Sequence, residues 1–385
     1  MTLNVLTVTG SRAEFGLLEP LLQEINDDKY FDLSLIVTGT HLSEKHGKTI
    51  DEIKASNFKI AKKVKLDLDD DSALNISIAM SKAIKGIAAA LNEISPDLVI
   101  LLGDRFEILA AASASLIACI PVAHIHGGEI TTGAFDDAIR HSITKMSHIH
   151  FVATKKYKER IIQLGENKND VHHVGGLGAD SINNMSFLSK KKLECDLGII
   201  FKNKIILATY HPETLKKNSL IDLENFINAL EFFSNNTIIF TMPNADPENE
   251  KFREKISVFG ENYKNVFIFE SLGKEKYLSC MKIADLVIGN SSSGILEAPS
   301  FQIPTINIGN RQNGRVRCKS VIDIEANQDK IRQSIEYALT EKFKESIKNI
   351  KNPYHFPDTA KKIKNILKKY EYNSILNKSF FDIDT

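Results

Sequence analysis

Residues 3–22 read LNVLTVTGSRAEFGLLEPLL. An apolar run, Val5 to Val8, passes through Thr9-Gly10-Ser11-Arg12 into a helical pattern that begins at about Leu17. Strand, turn and helix in that order open a nucleotide-binding α/β domain. A dinucleotide fingerprint needs glycine at the positions held by Arg12 and Phe15, so that the backbone can approach a pyrophosphate. The P-loop pattern with its Lys-Ser/Thr pair is absent as well. A phosphate at this turn would therefore meet the guanidinium of Arg12.

The same alternation continues along the chain. Apolar runs at Leu33–Val37, Leu98–Leu102, Val122–His126, His148–Ala153 and Val171–Val174 are interleaved with helical patterns, including Glu107–Leu116 and one starting near Asp136. Strands alternating with helices imply a parallel sheet covered on both faces. The pattern then restarts with strands at Lys204–Thr209, Thr237–Met242, Val266–Glu270, Leu286–Gly289, Thr305–Ile308 and Ser320–Asp323. The helices between them are expected at Leu220–Asn235, Asp246–Phe259 and Glu275–Ile283, with a further one from about Ile295. The fold class is thus α/β, with two Rossmann-like domains facing a cleft. The stretch Gly175–Gly198, rich in Gly, Asn, Ser and Lys, reads as the linker, and the Lys-rich Thr359–Tyr370 as a solvated amphipathic helix.

The 385 residues exceed one ordinary core and suit two domains. Lys+Arg and Asp+Glu balance at 49 each, so no global field draws nucleic acid or an anionic membrane. No long apolar run of membrane-spanning length is read, nor any secretory or lipidation signal. Cys119, Cys195, Cys280 and Cys318 are far apart and lack metal or redox spacing, which fits free thiols in the cytoplasm.

In open α/β sheets, ligands gather at the carboxyl ends of strands. The first domain offers Gly10-Ser11-Arg12, Thr38-Gly39-Thr40-His41, Gly103-Asp104-Arg105 and His124-Ile125-His126-Gly127-Gly128-Glu129 there. The second offers His211-Pro212-Glu213, Asn244-Ala245-Asp246 and Gly289-Asn290-Ser291-Ser292-Ser293-Gly294. The segment ADLVIGNSSSGILEAPS is the sharpest: a buried strand, small hydroxyl residues, then a helix N-terminus suited to a diphosphate. Ser291 and Ser292 can donate hydroxyls, and Glu297 can accept from ribose hydroxyls. The competing reading is a Ser N-cap with no ligand.

Asp104 and Arg105 could be a local ion pair, and Asp136 or Asp137 could cap the helix running to His141. Taken with His126 and Glu129, these residues instead suggest a carboxylate cluster able to divide into base and acid. His211 suits a diphosphate as cation or donor. Arg311, Arg315 and Arg317 follow a late strand, where arginine is apt for phosphate. No HExxH spacing appears, and no metal is expected.

Together TGSRAEFG, TGTHL, GDRFE, HIHGGE, DDAIRHSITKMSHIHF, HPET, GNSSSG-x-x-E and GNRQNGR resemble the UDP-N-acetylglucosamine 2-epimerase family. The likeness is closest to the hydrolysing branch that opens sialic acid synthesis, and it runs in order from Leu3 to about Ile366. It implies a glycosyltransferase-B type fold whose C-terminal helix returns to the first domain. The expected domains are 1–176 with 362–385 packing back, and 177–361 binding UDP. The implied activity is release of N-acetylmannosamine and UDP from UDP-N-acetylglucosamine, with no cofactor and no metal. The alternative is the same reaction on UDP-2,4-diacetamido-2,4,6-trideoxyglucose, in the legionaminic acid branch.

The resemblance further implies a homodimer or homotetramer with a UDP-sugar as its only partner. By the same likeness, Arg12 and His211 neutralise the diphosphate, Ser291 and Ser292 bind it, Glu297 holds the ribose and Arg311 closes the nucleotide end. His41 matches an active-site histidine, and Asp104 and Asp136 match carboxylates of the acid–base chemistry. Two departures stand out. His126 replaces the Glu of many members, so Glu129, His126 and Asp136 remain the candidates for the second proton-transfer group. Leu17 replaces the lysine of the non-hydrolysing branch, which favours hydrolysis.

Overall fold

The computed structural model describes residues 2–44, 49–68, 70, 72–132, 135–183, 185–213, 219–243 and 249–383. Asn244-Ala245-Asp246, one of the expected strand-end groups, lies outside them. The chain divides into two compact units, one of 1–129, 135–181 and 356–385, the other of 130–134 and 182–355.

The first unit holds a seven-stranded sheet in the order β3-β2-β1-β4-β5-β6-β7. Its strands are β1 Leu3–Thr9, β2 Phe31–Val37, β3 Ile60–Lys63, β4 Leu98–Leu102, β5 Val122–Ile125, β6 Ile149–Val152 and β7 Val171–His173. Every pairing is parallel, with Thr9 opposite Val37 and Val5 opposite Leu98. Leu6, Val8, Val99 and Leu101 face one core, while Val5, Leu98, Ile100 and Leu102 face the other. Burial on both faces is why these strands read as continuous apolar runs. Strand order reverses between β1 and β4, so the ends carrying Gly10 and Asp104 flank a topological switch point.

The second unit repeats the plan with six parallel strands, β10-β9-β8-β11-β12-β13. They are β8 Ile205–Thr209, β9 Thr237–Thr241, β10 Val266–Phe269, β11 Leu286–Gly289, β12 Thr305–Ile308 and β13 Val321–Ile324. Its reversal lies between β8 and β11, which places His211 and Ser291 at the second switch point. The fold is therefore the expected two parallel-sheet α/β units of glycosyltransferase-B type.

Several local expectations change. The first helix starts at Arg12, five residues before Leu17, because the Ser11 hydroxyl accepts from Glu14 N at 3.4 Å and caps it. The Gly175–Gly198 stretch is not a bare linker: it folds as helices Leu177–Asn183 and Lys190–Leu197, the latter burying Leu193. Asp180 extends the first unit past residue 176, because its carboxylate accepts from the backbone N–H groups of Asp358 (3.1 Å) and Thr359 (2.8 Å). Those bonds start the helix Thr359–Leu367, which is not simply solvated. It buries Ala360, Ile363 and Leu367 in the core that also holds Leu18, Leu21 and Leu22, and Lys364 pairs with Glu24 at 2.6 Å.

The helix Ala73–Ile94 passes the length and apolarity test for a membrane span, contrary to the sequence reading. Its Ala79, Ala83, Ile87, Ala90 and Leu91 pack in the first unit's core, and Lys82 pairs with Asp67.

Candidate active site

At the first switch point, β1 ends in a turn too tight for side chains. A Cβ on Gly10 would run into the Glu107 carboxylate, and one on Gly39, at φ +59°, would run into Gly10 O. His41 is fully buried beside this turn. Its Nε2 lies 3.1 Å from Thr9 Oγ1 and its Nδ1 2.8 Å from Thr49 Oγ1, and burial pulls its pKa down to about 4. It is a neutral, doubly tethered ring that braces the turn.

Arg12 points outward and makes a two-pronged pair with Glu52, Nε to Oε2 and Nη2 to Oε1, both at 3.0 Å. Both side chains are exposed, so the pair is worth about 0–1 kcal/mol. A diphosphate could therefore compete for this guanidinium at small cost.

The second cluster joins β4, β5 and the helix Asp136–Met146. Arg140 is 2% exposed and is held in place by three groups. Its Nη2 bonds Asp104 Oδ2, its Nη1 donates to Glu129 O at 3.2 Å, and Asp137 Oδ1 lies 3.5 Å away. His126 sits at φ +66°, a left-handed conformation that brings Nδ1 to 3.5 Å from Glu129 Oε1. A non-glycine residue held there is the kind of local strain that functional sites retain. Arg160 bonds Gly128 O and fixes the loop from its far side.

Beneath the cluster, His124 donates Nε2–H to Gly103 O (2.8 Å) and accepts at Nδ1 from Thr144 (3.1 Å). Burial drives its pKa down to about 3, so the ring stays neutral and this tautomer holds. Asp104, His126 and Glu129 are thus gathered around Arg140. Asp136 opens the helix, yet the cap is Phe135, without a side-chain bond, so neither Asp136 nor Asp137 is the N-cap. Arg105 is paired with Glu107 at 2.6 Å, and Asp104 with Arg140, so the local Asp104–Arg105 pair is replaced by these two.

In the second unit, Asn290 links two strand ends. Its Oδ1 accepts from His211 N at 2.7 Å, and its Nδ2 donates to His211 O at 2.8 Å. Gln312 donates to Asn290 O at 2.8 Å, and Arg311 Nη1 reaches the same oxygen at 3.5 Å. Burial, with Arg311 nearby, holds His211 well below its ordinary pKa. A neutral His211 would meet a diphosphate as a donor, leaving Arg311 as the cation.

The helix expected from about Ile295 is one turn, Ser293–Leu296, followed by a 3-10 turn, Ala298–Phe301. A macrodipole needs length, so it contributes less here than the sequence suggested. Ser292 is the N-cap but makes no capping bond, whereas Ser291 Oγ accepts from Ser293 Oγ at 3.1 Å. A small pocket opens among Thr209, Tyr277, Gly289, Ser291, Ser293 and Gly294. Near it, burial pushes Glu297 up to about 7, and Tyr277 OH bonds Ser293 Oγ at 2.6 Å.

Sequence reasoning missed Arg140 and Tyr277, and it named His124 and Asn290 only within strand-end runs, without a role. Arg140 could have been found as the i+4 neighbour of Asp136, the spacing that places two side chains on one helical face. The family model for UDP-N-acetylglucosamine 2-epimerase matches residues 23–368.

The chain belongs to the UDP-N-acetylglucosamine 2-epimerase family.

A GDP/UDP-N,N'-diacetylbacillosamine 2-epimerase (hydrolyzing) of Campylobacter jejuni is 43% identical over 379 residues, covering 98% of each chain. The polysialic acid biosynthesis protein P7 of Escherichia coli is 37% identical, over 98% of this chain and 97% of its own. A UDP-N,N'-diacetylbacillosamine 2-epimerase (hydrolyzing) of Legionella pneumophila is 36% identical, over 98% and 99%. Among solved structures, a 2-epimerase from Listeria monocytogenes superposes with a TM-score of 0.81 at 18% identity over the whole of both chains, which shows the shared fold. This member of the family thus falls, by its relatives, in the hydrolysing branch.

Proposed function

We propose that the protein is a hydrolysing 2-epimerase of a UDP-2-acetamido sugar, with UDP-2,4-diacetamido-2,4,6-trideoxyglucose (UDP-N,N'-diacetylbacillosamine) as substrate. The observation that carries the reaction type is the Asp104–Arg140–Glu129–His126 cluster at the β4 and β5 ends. It supplies two kinds of proton-transfer group on one rigid support. The substrate follows from kinship: two relatives, at 43% and 36% identity, carry the diacetylbacillosamine name. UDP-N-acetylglucosamine is the second reading, favoured by a Neisseria meningitidis relative of that name at 32% identity.

In the first step Asp104 takes the C2 proton. The C2–H pair becomes the C1–C2 double bond, and the C1–O bond breaks with its electrons passing to UDP. Arg12, Arg311 and the neutral His211 would stabilise the charge that develops on the diphosphate. Ser291 and Ser292 would bind the diphosphate as hydroxyl donors, and Glu297 the ribose. In the second step water adds its oxygen to C1 while C2 takes a proton from the opposite face. The sum is UDP-sugar plus water giving the free C2-inverted sugar and UDP.

Proton transfer needs groups within hydrogen-bond reach on opposite faces, and Glu129, His126 and Asp136 compete for the second role. Asp104→Asn tests the assignment. It should lower turnover by about 10²–10⁴-fold while leaving UDP affinity, read by calorimetry, unchanged. Lost UDP affinity with intact folding would instead make Asp104 a binding residue.

A further inference from the structure

Behind the β1 turn lie two buried carboxyls that no step above uses. Glu14 is the third residue of its helix, three after the Ser11 cap, as in a capping box. Its side chain reaches one residue further back than that motif requires: Oε2 accepts from Gly10 N at 3.3 Å. Glu107 comes from the next sheet connection and packs its carboxylate against the Gly10 Cα, filling the space a Cβ would need. Both acids therefore pack against one glycine. Glu14 is 6% exposed and Glu107 fully buried.

Two carboxyls face a single cation here. Arg105 Nε donates to Glu107 Oε1 at 2.6 Å, and the other titratable group beside the turn, His41, is neutral. Thr9 adds only a hydroxyl. Arg12, two residues away, is turned outward to Glu52. Glu14 Oε1 and Glu107 Oε2 are both shielded from solvent and have no hydrogen-bond partner among the described residues. A buried acceptor left in that state is costly, and two like charges so placed are costlier still. A proton on Glu14 would turn one of these acceptors into a donor and remove the surplus charge.

We propose that Glu14 is protonated at neutral pH beside the Glu107 carboxyl, and that this acid pair is the positioning element that holds Gly10, and with it the Arg12 turn, in shape for a diphosphate. Burial and the neighbouring Glu107 hold the Glu14 carboxyl well above the usual carboxylate range. The functional half of the inference rests on the UDP-sugar reading; the protonation of Glu14 does not.

Infrared spectroscopy of the full chain should show protonated-carboxyl absorption at neutral pH that weakens in Glu14→Gln, the remainder coming from Glu297. Glutamine keeps the acceptor for Gly10 N, supplies a donor toward Glu107 and carries no charge. Because a raised folded pKa gives stabilisation that is full below the unfolded value and lost as pH rises through the folded one, E14Q should melt higher than wild type at about pH 8, with the gap closing toward about pH 4. UDP affinity of the wild type, by calorimetry, should fall by up to about tenfold per pH unit above the Glu14 ionisation, and E14Q should remove that fall.

An infrared band unchanged by E14Q, or a melting gap of the reverse sign, would overturn the proton on Glu14. Weaker UDP binding by folded E14Q at neutral pH would overturn its positioning role. Failure of UDP to bind the wild type at all would sink the UDP-sugar reading, yet leave the infrared and melting results to decide the acid pair.

Discussion

Glu297 and His211 show how burial reshapes a binding site before any ligand arrives. With Glu297 pushed up to about 7, roughly half its population carries a proton at neutral pH. If ribose hydroxyls bond its carboxylate form, UDP binding must expel that proton, so affinity should fall as pH drops below 7. Glu297→Gln should abolish this acid-side dependence, measured as the calorimetric affinity between about pH 5.5 and pH 8. A slope that survives the substitution would remove Glu297 from the ribose. His211 makes the complementary point. The sequence could suggest only a cation or a donor, and the structure favours the donor, because the surrounding burial and Arg311 disfavour its charged form.

At the scale of elements, the helix Asp136–Met146 does more than continue the sheet. One turn apart on one face, Arg140 and Thr144 reach back to the β4 and β5 ends, the first through Asp104 and Glu129 O, the second through His124. Thr144→Val keeps the shape and deletes the hydroxyl donor to His124 Nδ1. It should lower kcat about tenfold with UDP affinity unchanged, and Thr144→Ser should restore it; equal loss in both variants would mean that packing, rather than the hydrogen bond, matters there. The helix Thr359–Leu367 is an element of stability. Ile363 is fully buried between it and the first helix, so Ile363→Ala should cost about 2–5 kcal/mol, read from the urea midpoint.

Elements also show where sequence reading stops. Buried parallel strands such as Leu98–Leu102 were legible because apolar runs and strand limits coincide. The edge strand Ile60–Lys63 was not, since alternate residues are exposed and two lysines end it. Gly175–Gly198 looked like a linker by composition, while its helices are fixed by contacts such as buried Leu193 that composition does not reveal. Helix ends were read less well: the Ser11 cap puts the first helix start at Arg12, and the helix expected from about Ile295 is a single turn starting at Ser293.

Across the whole molecule, two sheets of the same parallel plan each reverse strand order once. Arg12 and Asp104 follow the strands flanking the first reversal, and His211 and Ser291 those flanking the second, while His41, His126, Glu129 and Arg311 follow other strands of the same sheets. The sequence did not reveal the partners beneath them, because Arg140, His124 and Asn290 act through contacts 21 to 79 residues away in the chain. Substrate choice between two acetamido sugars depends on pocket chemistry at C4 and C6, which no motif encodes.

The most direct test follows the purified protein by proton NMR in heavy water, with UDP-2,4-diacetamido-2,4,6-trideoxyglucose in one tube and UDP-N-acetylglucosamine in another. The account predicts UDP and a free 2,4-diacetamido sugar of manno configuration, deuterated at C2, with slower or no turnover in the second tube. Faster turnover of UDP-N-acetylglucosamine would reverse the substrate assignment. Product that keeps its C2 hydrogen, or silence with both sugars, would contradict the elimination and hydration chemistry itself.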